Sequence, residues 1–193
     1  MGKSTVAKRL RERGLPVCDA DALVHELYEG PAVIPVETAF PGSTTDGRVD
    51  RQKLSALLLK DPTAFKRLEA IVHPMVSAAE RECLQAGMRR GATMAVLEHP
   101  LLFDVRKDAK CDVTIVVSAA PEVQRERVLA RPGMTPEKLA MILAKQMPDA
   151  EKRRRATYVV DTGVPLDETL AHIDRIIDQL AHRSGTAFAA HWS

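Results

Sequence analysis

The chain begins Met1-Gly2-Lys3-Ser4-Thr5, and Gly2, Lys3 and Ser4 reproduce the second half of the phosphate-binding pattern G-x-x-x-x-G-K-[ST]. Such a loop needs a strand before it and a helix after it. Its backbone N–H groups and the first helical turn then cradle phosphate oxygens. The helix is legible: Val6, Ala7 and Leu10 mark one face between basic residues, and Gly14 stands where a C-cap belongs. The strand and the leading glycine would fall upstream of Met1, so we expect in-frame codons for both ahead of a mis-assigned initiation site. In an intact loop Lys3 would reach the β- and γ-phosphates and the Ser4 hydroxyl would ligate Mg²⁺, with Gly2 and Thr5 completing the turn. The competing explanation is an initiator Met followed by an ordinary amphipathic helix.

The rest of the chain alternates short apolar runs with helical stripes. Leu15 to Cys18, Met94 to Leu97, Val113 to Val117 and Tyr158 to Val160 read as buried strands. Between them we expect helices from about Ala22 to Tyr28, a short one to Phe40, and one opened by Asp61-Pro62 and interrupted at His73-Pro74. Pro121 opens another to about Ala130, with further helices to about Arg155. Leu166, Leu170, Ile173, Ile177 and Leu180 form the stripe of a closing helix, and nothing periodic follows Arg183. Strands alternating with helices imply an α/β fold with a parallel sheet flanked by helices.

Composition removes several classes of function. A net charge of +2 reflects a near-balanced surface and says little about nucleic acid, while 4% aromatic residues argue against base-stacking platforms. No apolar run approaches the ~18 residues of a membrane span, and no signal peptide is recognisable. The three cysteines, Cys18, Cys83 and Cys111, are odd in number and widely spaced, a pattern that suits a reducing cytoplasm better than a disulfide framework or zinc site. The six histidines form no H-E-x-x-H arrangement.

Asp19-Ala20-Asp21 ends the first apolar run. Ligands of open α/β sheets bind outside the carboxyl ends of the strands, so either carboxylate could take a proton from an attacking hydroxyl or hold Mg²⁺ through water. Helix capping by Asp is the plainer alternative. Gln124, Arg127 and Arg131 share a helix face running into Pro132-Gly133, as an arginine-bearing lid would. Lys152-Arg153-Arg154-Arg155 reads as a solvated face. His73 alone is a structural break, and Pro100-Leu101-Leu102-Phe103 is an unusually apolar loop.

In order along the chain, these segments resemble dephospho-CoA kinase: Gly2-Lys3-Ser4-Thr5, Leu15 to Asp21 with His25, Asp46 to Asp50, His73-Pro74-Met75-Val76, Pro100 to Asp104, and Gln146-Met147-Pro148 with Lys152. The resemblance runs to about Leu180. It implies a P-loop kinase fold, five-stranded in the family and with four strands visible here. It also implies MgATP-dependent phosphorylation of the ribose 3′-hydroxyl of dephospho-CoA in the cytoplasm. By resemblance, Asp21 is the base, Arg131 the lid arginine meeting ATP phosphates, and Asp19, His25, His73, Pro100, Leu101 and Leu102 the acceptor side. Glu98-His99 departs from the family's Asp, and Pro132 from its acidic residue. The expected organisation is one domain over residues 1–183, with an acceptor-binding helical segment at about 22–90, a lid at about 125–155 and a loose tail at 184–193. Another small P-loop kinase, or a catalytically silent acceptor-binding protein, are the alternatives; oligomeric state is open.

Overall fold

The computed structural model describes residues 2–193. In chain order it contains α1 (Lys3–Glu12), β1 (Val17–Asp19), α2 (Ala20–Tyr28), α3 (Val33–Ala39), β2 (Thr44–Thr45), β3 (Arg48–Val49) and α4 (Arg51–Leu58). Then follow α5 (Ala64–Arg89), β4 (Val96–Glu98), a 3₁₀ turn (Lys107–Lys110), β5 (Ile115–Ser118), α6 (Pro121–Leu129) and α7 (Pro136–Lys145). The last elements are α8 (Asp149–Arg155), β6 (Tyr158–Asp161), α9 (Leu166–Leu180) and α10 (Ala187–His191). These divide into two compact units, one of residues 2–16, 92–94 and 100–193, the other of residues 17–91 and 95–99. All four expected strands form, and they pair in parallel.

In the first unit β5 pairs with β6, Ile115 opposite Tyr158 and Ser118 opposite Asp161. Helix α9 packs on β6 and meets α1. Its apolar stripe is buried at Ile173, Ile176, Ile177 and Leu180, as α1 is at Val6, Ala7 and Leu10. Ion pairs flank that contact: Arg9 Nη2 lies 2.6 Å from Asp174 Oδ2, and Arg13 reaches Asp174 at 3.1 Å and Asp178 at 2.5 Å. The Arg9 guanidinium holds the Asp174 carboxyl below its ordinary range.

The expectation of a loose tail at 184–193 is corrected. Asp112 Oδ1 accepts from the amides of Thr186 at 2.6 Å and Ala187 at 3.0 Å, capping α10. Trp192 is buried, donates its indole N–H to Lys110 O at 2.8 Å, and lies under the Lys110 ammonium. One large side chain and one distant cap anchor a segment too short for periodicity to reveal.

The second unit is a helical layer on a strand pair. β1 and β4 run parallel, Val17 opposite Val96 and Asp19 opposite Glu98. Beside them Leu27, Ala32, Val36, Phe40, Val49, Leu54, Leu58, Ala64, Val72 and Val76 form one buried cluster contributed by α2 to α5 and β3. An unexpected antiparallel hairpin joins β2 and β3 through Asp46-Gly47, both at positive φ (50° and 74°), which is the type I′ turn that Asp-Gly favours. Asp50 then caps α4 through the amides of Gln52 and Lys53.

Three further expectations are corrected here. Helix α5 runs unbroken through Pro74, because Val72 and Val76 on either side are buried in the cluster and their packing offsets the lost backbone bond. Thr63, not Asp61, precedes its first turn; Asp61 Oδ1 accepts from the Thr63 amide at 2.8 Å and hydroxyl at 2.7 Å. Cys18 and Cys83, expected as unpaired thiols, form a disulfide with Cα atoms 5.9 Å apart. It arises because β1 lies against α5, a contact that spacing along the chain does not disclose. Among the described residues no helix is long and apolar enough to cross a membrane.

Candidate active site

In the first unit, Gly2 takes the left-handed conformation (φ 80°, ψ 1°) and Lys3 at once enters the helix. A left-handed residue followed by a right-handed one turns successive backbone N–H groups toward a common point, forming an anion-binding concavity. Among the described residues no side chain caps α1, and its first turn carries no acidic residue. Its N-terminal amides and partial positive charge thus face the side where a phosphate would lie. Ser4 and Thr5 are exposed in that first turn, Lys3 is half-buried, and Gly2 O accepts from the Val6 amide at 3.0 Å.

A second group of contacts in the same unit holds the arginine-bearing segment. Arg127 donates from Nη1 to Thr162 O at 2.7 Å. Arg131 lies just beyond α6, exposed, and Gly133 at φ 73° turns the chain into α7. At the far end of α7, the Met147 amide donates to Asp104 Oδ1 at 2.6 Å, and Ser118 Oγ donates to Asp149 Oδ2 at 2.7 Å. Lys152 Nζ stands 3.8 Å from Asp104 Oδ2, both side chains largely buried. The loop 100–104 is therefore tied through Asp104 to the start of α8; Phe103 is buried, Leu101 and Leu102 half-buried, and Pro100 exposed. The expected solvated run is split: Arg154 and Arg155 both engage Glu151, and the Arg155 guanidinium holds that carboxyl below its ordinary range.

In the second unit, the carboxyl ends of β1 and β4 bring acidic residues to one edge, with Asp19 opposite the buried Glu98. Asp19 Oδ1 accepts from the amides of Asp21 at 2.9 Å and Ala22 at 3.3 Å, so the capping alternative holds for Asp19. Asp21 lies exposed in the first turn of α2, four residues before His25 and so on the same helix face. His25 Nε2 is 3.8 Å from Glu29 Oε1. His73 is exposed on α5, the helix against which α2 packs.

Several of these partners gave no signal in the sequence. Glu80 is wholly buried on α5, with Oε1 3.9 Å from His99 Nε2; a lone Glu in a helical stripe looks like an ordinary surface residue. Thr162 and the Ser118–Asp149 pair are equally silent, because their roles lie in contacts between distant segments.

With this geometry in view, the sequence model described as "Dephospho-CoA kinase" matches residues 1–168. A dephospho-CoA kinase of Rhodopseudomonas palustris strain HaA2 is 55% identical over 181 residues, covering 94% of this chain and 91% of its own. One from Mesorhizobium japonicum is 53% identical over 186 residues, with coverages of 96% and 94%. Among solved structures, a Thermus thermophilus protein superposes with a TM-score of 0.79 at 37% identity, covering 95% of this chain and 93% of its own. Dephospho-CoA kinase from Campylobacter jejuni shares the fold alone, with a TM-score of 0.70 at 21% identity and coverages of 93% and 91%.

Proposed function

This chain belongs to the dephospho-CoA kinase family, and on that premise we propose how its residues divide the ATP-dependent phosphorylation of dephospho-CoA. The enzyme is a kinase of the last step of coenzyme A synthesis. The family match carries this conclusion together with one local observation, the left-handed Gly2 that turns the head of α1 into an anion-binding concavity.

The amides of Gly2 to Thr5 hold the ATP phosphates, and the Lys3 ammonium neutralises charge on the β- and γ-groups. Asp21 takes the proton from the ribose 3′-hydroxyl of dephospho-CoA. That oxygen bonds to the γ-phosphorus as the bond from phosphorus to the β–γ bridging oxygen breaks, and ADP leaves. Asp19 is assigned to holding the first turn of α2, because its Oδ1 already caps that turn. His25 and His73 in the second unit, and the loop of Pro100, Leu101 and Leu102 in the first, are each assigned to acceptor binding. Arg131 meets the phosphoryl oxygens as their charge shifts, a contact strongest in the transition state.

For Mg²⁺, the donor chemistry fits: an exposed Ser4 hydroxyl in the first turn beside Lys3 is an oxygen of the kind Mg²⁺ takes along with substrate phosphates. When bound there, the ion would neutralise phosphoryl oxygen charge. We place the reaction in the cytoplasm on family membership, not on the cysteine spacing, which the Cys18–Cys83 disulfide overturned.

The test is an acceptor panel. Incubated with MgATP, the protein should convert dephospho-CoA to coenzyme A far faster than it phosphorylates shikimate, gluconate or nucleoside monophosphates. A preference for any of those would defeat the assignment.

A further inference from the structure

Contacts with three residues, Ser118, Arg127 and Gly2, converge on Thr162, the residue that follows β6. Its amide donates to Ser118 O at 2.8 Å, and its hydroxyl donates to the same carbonyl at 2.9 Å. Two donors on one acceptor fix both the backbone and the side-chain rotamer of a residue that is 6% exposed. Its own carbonyl accepts from Arg127 Nη1 at 2.7 Å. Its methyl group lies against Gly2, where an added Cβ would come within 2.9 Å of Thr162 Cγ2 and 3.2 Å of Thr162 Cβ.

We infer that Thr162 is a positioning residue for ATP: its methyl seats Gly2 in the left-handed conformation of the phosphate loop, and its carbonyl ties the root of the arginine-bearing segment to the same point. Glycine visits left-handed and right-handed conformations about equally, so the sequence alone does not hold Gly2 at φ 80°. The Thr162 methyl occupies the space that a Cβ at Gly2 would need. The Thr162 atoms nearest an added Cβ at Gly2 are Cγ2 and Cβ, with Oγ1 next at 3.5 Å, and the proton of that hydroxyl is engaged by Ser118 O. A β-branched side chain with a hydroxyl suits this: the hydroxyl locks χ1 and the methyl makes the contact. Arg127 enters by the same residue, so a shift of Thr162 would disturb loop and lid together.

This rests on Gly2 to Thr5 being the phosphate site, and two substitutions separate the roles of methyl and hydroxyl. Thr162→Ser keeps the bond to Ser118 O and loses the methyl; Thr162→Val keeps a methyl toward Gly2 and loses the bond. ATP binding is measured by calorimetry on both variants, with melting temperature and the KM values for ATP and dephospho-CoA. The serine variant should melt only about 2–4 °C lower yet bind ATP roughly fivefold to tenfold more weakly, the scale of one lost methyl contact. Its KM for ATP should rise in step while that for dephospho-CoA holds. The valine variant should melt lower but bind ATP within about twofold of the unaltered protein. Serine binding ATP normally, or valine being the variant that loses ATP, would overturn the inference. An unaltered protein that binds no ATP would instead remove the phosphate-loop assignment beneath it.

Discussion

The two units carry their chemistry in opposite ways. In the second, Asp19 and Asp21 stand at a strand–helix junction next to a disulfide at Cys18, in a unit whose apolar cluster includes the wholly buried Ala32 and Val36. In the first, charged groups sit on segments with side-chain ties near their ends: Arg127 donates to one carbonyl, and the residues after α7 engage Asp104 and Ser118. Beyond those ties Arg131 is exposed, and Met141 of α7 is 62% exposed. The contrast matches the tasks proposed for each. A base must be held at a set distance from the hydroxyl it serves, whereas a guanidinium that follows phosphoryl charge needs a firm root and a movable end.

The largest effect that would sharpen this contrast is on turnover. Asp21→Asn keeps size and hydrogen bonding but removes the basic lone pair, so kcat should fall by ~10²–10⁴-fold. A fall of only a few-fold would make Asp21 a second cap and move the base to Asp19. The stiffness of the second unit is tested by Phe40→Ala, which empties a position that is 3% exposed and lies beneath the Arg67 guanidinium, 4.7 Å from the ring centroid. Denaturant unfolding should show a loss of about 3–5 kcal/mol. A loss below about 1 kcal/mol would mean that the site is plastic there.

A smaller loss is expected in the first unit. Arg131→Ala should lower kcat by about 10²-fold, on the scale of one donor lost from a preorganised site, with a lesser change in KM for dephospho-CoA. Arg154→Ala, whose side chain is 76% exposed and engages Glu151, should change little. Equal, mild effects from both would make Arg131 plain surface charge.

The smallest effect concerns the anchored C-terminal helix. Burial pushes the Asp112 carboxyl up, but the amides of Thr186 and Ala187 outweigh it and hold it below its ordinary value. A depressed folded-state value means that its contribution is present above the unfolded carboxylate value and is lost as pH falls through the folded one. The emission of Trp192, the single tryptophan, should hold from neutral pH downward and shift to the red only below about pH 4. Asp112→Ala should give that shift at neutral pH; an unchanged spectrum would show that α10 needs no cap.

Much of this was legible where local pattern and tertiary environment agree. The four apolar strands and the later part of the α9 stripe, Ile173, Ile177 and Leu180, are each a few residues whose spacing already states their surroundings, whereas Leu166, expected in the stripe, is 58% exposed. Pro74 misled because propensity is local, while burial of Val72 and Val76 is not. The β2–β3 hairpin was missed although Asp46-Gly47 is a turn signal, since strands of two residues carry no alternation. Between Asp19 and Asp21 spacing alone offered no choice and only the resemblance named Asp21; the cap bonds of Asp19 were not legible in either. Thr162 was invisible because its partners, Gly2, Ser118 and Arg127, come from three separate stretches of chain.

The division of labour between the units is tested most directly by titrating ATP into Lys3→Ala and Asp21→Asn by calorimetry, with dephospho-CoA titrated in parallel. Asp21→Asn should bind ATP as the unaltered protein does while forming almost no coenzyme A. Lys3→Ala should lose about tenfold or more in ATP affinity, on the scale of a charge-assisted contact, and still bind dephospho-CoA. Equal loss of ATP binding in the two variants, or normal ATP binding by Lys3→Ala, would contradict the assignment of phosphate binding to one unit and proton abstraction to the other.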